Sequence, residues 1–129
     1  MRQLAEVAAI FVAIVFNSGC ATLSDAQAAK GSGTAKVYDK PYDTVWNAVL
    51  QSVKSSDLKL VSENKDEGTV LAQREAGGFS WGENVAIFVE EADGKHRTRV
   101  EVVSKRTLAA NITATNWENK ILEDLDKRL

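Results

Sequence analysis

Between positions 42 and 53 the apolar side chains Tyr42, Val45, Trp46, Val49, Leu50 and Val53 return every three or four residues. That spacing lays one apolar stripe along a helix. Asp39-Lys40-Pro41 stands ahead of it, and proline suits a first helical turn because its missing N–H has no intrahelical partner there. The helix is predicted to stop around Ser55 to Asp57, and residues 35–38 before it read as a short strand. Beyond it the period changes. Residues 58–63 and 69–75 alternate in part about the polar stretch Asn64-Lys65-Asp66-Glu67-Gly68, which predicts an antiparallel hairpin. Residues 83–91 and 96–104 repeat the arrangement around Ala92-Asp93-Gly94-Lys95, where Asp-Gly is a strong turn signal. Alternation places Val85, Ile87 and Val89 on one face, and sets Thr98, Val100 and Val102 opposite Arg97, Arg99 and Glu101. One side of the sheet is therefore predicted dry and the other wet.

Thr115-Asn116-Trp117-Glu118 fits a capping box. After it Trp117, Ile121, Leu125 and Leu129 recur every four residues, with Leu122 widening the stripe, so a second amphipathic helix closes the chain. The order β-α-β-β-β-β-α predicts an α+β two-layer sandwich, an antiparallel sheet of about five strands with both helices packed on one face. Residues 34–129 suffice for one such domain with one core.

The N-terminal pattern is different in kind. Met1-Arg2 leads into an apolar run at residues 7–16, followed by Asn17-Ser18-Gly19 and the single cysteine, Cys20. A run of about ten residues is half of the roughly twenty needed to cross a bilayer as a helix, so residues 1–19 read as an export signal. Ser18-Gly19-Cys20 resembles the lipoprotein box of bacterial lipoproteins. That resemblance implies cleavage before Cys20 and a diacylglyceryl group on its sulfur. Asn17 and Glu6 depart from the pattern, which has an aliphatic residue at the first position and a positive start. Ordinary cleavage after Ala21 or Ala28 is the competing reading. Acyl chains contribute about 0.8 kcal/mol per buried methylene, so two or three hold a protein to a membrane without a spanning helix. Ala21, rather than Asp, after the cysteine implies, by resemblance to enterobacterial sorting, the outer membrane facing the periplasm. Residues 20–33 are rich in Ala, Ser and Gly and read as a flexible tether with a reach on the order of 20 Å.

Taken with Pro41-Tyr42-Asp43-Thr44-Val45-Trp46, Asp66-Glu67-Gly68-Thr69-Val70 and the closing helix, this leader resembles small bacterial lipoproteins of uncharacterised function. Their domains are similar to the helix-grip modules of the lipoprotein C subunit of the outer-membrane β-barrel assembly machinery. The resemblance implies no catalytic motif and carries over only Cys20.

Charge narrows the classes further. The net charge is −2, and the leader removes Arg2 and Glu6, one of each sign, so the mature balance is unchanged. A strongly basic phosphate-binding surface is missing, which argues against nucleic acid. Lys95, Arg97, Arg99, Lys105, Arg106 and Arg74 are either a patch for acidic headgroups or glycans or, as favoured, a solvated face paired with Glu90, Glu91 and Glu101. No catalytic constellation is visible: His96 is the only histidine and sits beside a turn, no metal-ligand spacing occurs, and no cofactor motif is present. Trp46 and Trp117 fall on the helix stripes and read as core.

The segment Ala76-Gly77-Gly78-Phe79-Ser80-Trp81-Gly82 stands apart, with three glycines around two large rings. Phe79 and Trp81 are candidate partner-binding anchors for a protein, a lipid tail or a peptidoglycan sugar; the favoured reading is that they fold back and close one end of the sheet. The sequence supports a non-enzymatic, membrane-tethered interaction or assembly module with an envelope protein as partner. A small-molecule or lipid binder using a groove between helices and sheet is the second reading, and an enzyme the third.

Overall fold

Strand alternation becomes register in the computed structural model, which describes residues 22–74, 82–94, 96–106 and 116–129. Five strands, β1 (Thr34–Tyr38), β2 (Lys59–Asn64), β3 (Thr69–Arg74), β4 (Glu83–Glu91) and β5 (Thr98–Arg106), form one sheet in the order β1-β5-β4-β3-β2. Every neighbouring pair is antiparallel. Ile87 lies opposite Val102 and Val89 opposite Val100, so the apolar halves of the central strands share a face.

Two helices cover that face. Helix α2 (Tyr42–Lys54) starts directly after Pro41, which is its N-cap residue, and buries Val45, Trp46, Val49 and Val53. Helix α3 (Trp117–Arg128) buries Trp117, Ile121, Leu122 and Leu125. Together with Val70, Val85, Ile87, Val89, Val100 and Val102 they form one continuous core. Removing an aliphatic side chain of this size from water contributes about 1.5–3 kcal/mol. The fold is therefore the predicted α+β arrangement, an antiparallel sheet of five strands with these two helices on one face. At one edge of the sheet β2 carries a register shift between Leu60 and Ser62, a device that discourages pairing with another edge.

Three expectations need correction. The cap of α3 is Asn116, whose side chain accepts from the Asn119 N–H at 3.2 Å. Thr115 lies outside the described residues, and Glu118 instead accepts from Thr34 Oγ1 at 2.7 Å. The segment read as a flexible tether contains a helix, α1 (Leu23–Ala28), with Ala26 fully buried. Nor is the second sheet face wholly wet: Ala86, Phe88 and Val103 are buried there with Ala26, and Ala29 and Leu71 pack against them. Ala26 and Ala29 are small enough to let a helix lie close to the strands. Glu101, expected on the solvated side, is 1% exposed.

Candidate functional site

Phe79, Trp81 and Cys20, the residues singled out by sequence, all lie outside the described residues. What the structure describes at the aromatic loop is its base. Arg74 ends β3 and Glu83 starts β4, so the loop springs from a closed strand pair. Glu83 belongs to the register of Val85 and Ile87 and thus points toward the helices, where it is 1% exposed. The Trp117 indole N–H donates to its Oε2, and Arg74 Nη1 stands 3.6 Å from Oε1. On the opposite face Gln73 Nε2 donates to Asn84 Oδ1 at 2.8 Å. A buried carboxylate is tolerated only when its oxygens are satisfied. Here the satisfaction ties the end of β3, the start of β4 and α3 together.

A second buried carboxylate organises the other face. Glu101 Oε2 accepts the backbone N–H of Gly31 at 2.6 Å and of Gly33 at 3.0 Å, and Arg99 Nη1 approaches Oε1 at 3.4 Å. Burial pushes the Glu101 carboxyl up, but the two N–H donors and the Arg99 guanidinium outweigh it and leave the group below the ordinary carboxylate value. A Cβ on Gly33 would run into the Val102 carbonyl oxygen, so only glycine allows this approach. Neither buried acid was singled out from the sequence. The signal was there for Glu83, in phase with Val85, Ile87 and Val89, and for Glu101, in phase with Val103.

The basic residues are distributed rather than pooled. Arg97 Nε meets Asp39 Oδ1 at 2.7 Å and its Nη1 stands 3.7 Å from Asp93. Arg99 pairs with Glu101 of its own strand, a buried carboxylate, rather than with an acid across the hairpin on a solvated face, and Arg74 pairs with Glu83. Lys95 lies outside the described residues. His96 is exposed beside the β4–β5 turn. Among the described residues no group of three or more His, Cys, Asp or Glu side chains could hold a metal ion, and no helix is long and apolar enough to cross a membrane.

Among the described residues, two surface depressions flank the helices. One, of about 200 Å³, lies at the α2–α3 seam among Ser52, Ser55, Lys120, Glu123, Asp124 and Lys127. The Arg128 guanidinium holds the Asp124 carboxyl below its ordinary value there. The other, of about 490 Å³, is bordered by Tyr42, Asp43, Lys65, Asp66, Glu67 and Glu91. Burial first, and then Asp43, Asp66 and Glu91, push the Tyr42 hydroxyl above its usual range; it donates to the Lys65 carbonyl at 2.7 Å. Both depressions have charged rims. The apolar helix stripes are spent on the core instead, with Val45, Val49, Val53, Trp117 and Leu125 at 0% exposure.

The chain matches no protein-family model and no curated relative.

Proposed function

We propose that this protein is a non-enzymatic lipoprotein of the bacterial envelope, anchored through acyl chains on Cys20 to the periplasmic face of the outer membrane. In this reading it acts as an interaction or assembly module. The observation that carries the anchor is the short apolar leader ending at Ser18-Gly19-Cys20, the chain's single cysteine. Phe79 and Trp81 are the proposed contact residues for an envelope protein. Two features support that placement. The loop departs from a base fastened by Glu83, Trp117 and Arg74, and a rigid base limits the entropy lost when a loop is captured. The packed core between helices and sheet favours an interaction surface over an internal ligand groove.

The test has two parts. Intact mass and N-terminal analysis of protein isolated from membranes should give a chain beginning at Cys20 and carrying acyl groups. Crosslinking in intact envelopes should capture a defined partner, and Phe79→Ala with Trp81→Ala should abolish capture without changing the circular dichroism spectrum. An unacylated chain removes the anchor; undiminished capture by the double variant removes the loop.

A further inference from the structure

Residues 22–33 are capped within themselves at one point and fastened to the domain at three. The Thr22 N–H donates to Asp25 Oδ2 at 2.7 Å and the Asp25 N–H to Thr22 Oγ1 at 3.3 Å, which fixes the start of α1. Ala26 is fully buried with Ala86, Phe88 and Val103. Lys30 pairs with Glu90 and lies 5.5 Å from the centre of the Phe88 ring. Gly31 and Gly33 donate to Glu101. A helix of six residues has no stability of its own in water, so it is the sheet that holds α1 in place.

We propose that this segment is a docking strap that seats the domain on a phospholipid surface with the α1-bearing sheet face toward the headgroups. The proposal rests on the lipoprotein reading above. Only Ala21 separates Cys20 from Thr22, and two residues of extended chain span about 7 Å at most. An acyl-bearing residue so close to a docked helix leaves the domain almost no stand-off, whereas a free segment of the same length would let it tumble tens of ångströms away. The face covered by α1 is thereby presented to lipid. The α2–α3 seam, on the opposite side of the sheet, looks into the periplasm, where a soluble partner could reach it. Glu101 is the positioning residue of this device, because its carboxylate fixes the turn that joins the strap to β1.

The test uses the full-length acylated protein in vesicles of phosphatidylethanolamine and phosphatidylglycerol. A thiol-reactive fluorophore goes on Gln27→Cys, an exposed position on α1, or on Lys54→Cys, an exposed position at the end of α2. Cys20, as a thioether, does not react. Energy transfer to a headgroup-labelled lipid should be clearly greater from position 27 than from position 54. Ala26→Asp should erase that difference and speed amide exchange at residues 23–29 by about tenfold or more, with β4 amides unchanged. Glu101→Gln should move both readouts in the same direction and serves if Ala26→Asp does not fold. Equal transfer from the two positions in otherwise unaltered protein overturns the proposal, as does exchange in α1 at the rate of an unstructured peptide. Mass analysis of the same sample separates this from failure of the anchor: an acyl-free chain overturns the lipoprotein reading, and the seating on lipid falls with it.

Discussion

Glu83 and Trp117 illustrate what a single buried contact does in this molecule. The carboxylate sits among apolar side chains at 1% exposure, and the indole N–H and Arg74 replace the water it has lost. A buried acceptor deprived of its donor costs about 1–3 kcal/mol, more when it is charged. Trp117→Phe keeps a ring in the core but removes the N–H. It should lower stability by about 2–3 kcal/mol in urea denaturation, with m unchanged. A loss below about 0.5 kcal/mol, the size of an ordinary surface substitution, would mean that the contact contributes little. Tyr38 is a milder case. Burial, and then the neighbouring Asp126 carboxylate, push its phenol well above the ordinary tyrosine value, while its hydroxyl donates to the Leu122 carbonyl at 3.3 Å and to Asp126 at 3.2 Å. The phenol thus stays protonated and pins α3 to β1.

At the scale of elements, the two hairpins differ in how their glycines are used. Gly68 and Gly94 both adopt left-handed conformations, φ 71° and 77°, and alanine at either position meets the same conformational penalty of about 1 kcal/mol. Their surroundings are unlike. Gly68 leads into β3 and its carbonyl accepts from the Val89 N–H at 2.8 Å; an added Cβ would strike the Val89 carbonyl oxygen, whereas at Gly94 nothing lies within 4 Å. Thermal melts should therefore show Gly68→Ala as more destabilising than Gly94→Ala by at least about 1 kcal/mol, because backbone on both sides must shift. Equal losses would show that β4 yields easily at this point. The hairpins themselves, like the two amphipathic helices, were legible in the sequence because their period and turn chemistry are local. The cap of α3 was misassigned by one residue, since Thr115 and Asn116 both have cap chemistry and Glu118 found its partners in β1 and β5 rather than in its own first turn.

For the whole molecule, the shifted groups set how stability follows pH. Glu101 is held below its ordinary 4.5 by the N–H groups of Gly33 and Gly31 and by Arg99, against the effect of burial. Arg128 does the same for Asp124, and Lys36 for Asp126, whose ordinary value is 3.8. The folded state therefore binds fewer protons than the unfolded state in acid. The stability these groups contribute is present in full above the unfolded values and is lost as pH falls through the lower, folded ones. Tyr38 and Tyr42 are raised above 10.0, so their contribution is present below that pH and declines as the pH rises beyond it. Urea midpoints should be level near neutrality, fall below about pH 4.5 and fall again above about pH 10. A profile without the acid-side fall would contradict the role given to Glu101.

The sequence by itself determined the order of elements from β1 onward, the dry face of the sheet and the stripes of α2 and α3, because periodicity is a property of neighbours along the chain. It also carried the leader and Cys20 as an expectation of anchoring, and the aromatic loop as an expectation of contact. Tertiary structure decided what no local pattern holds. Residues 23–28, too short to be helical alone, become α1 because Ala86, Phe88 and Val103 offer a surface for Ala26. Glu101 turns from a solvated charge into a buried clasp because Gly31 and Gly33, some seventy residues away in the chain, bring their N–H groups to it. Long-range contacts of this kind depend on which surfaces meet once the strands have paired, and that outcome is fixed by packing and by the satisfaction of buried polar groups rather than by local spacing.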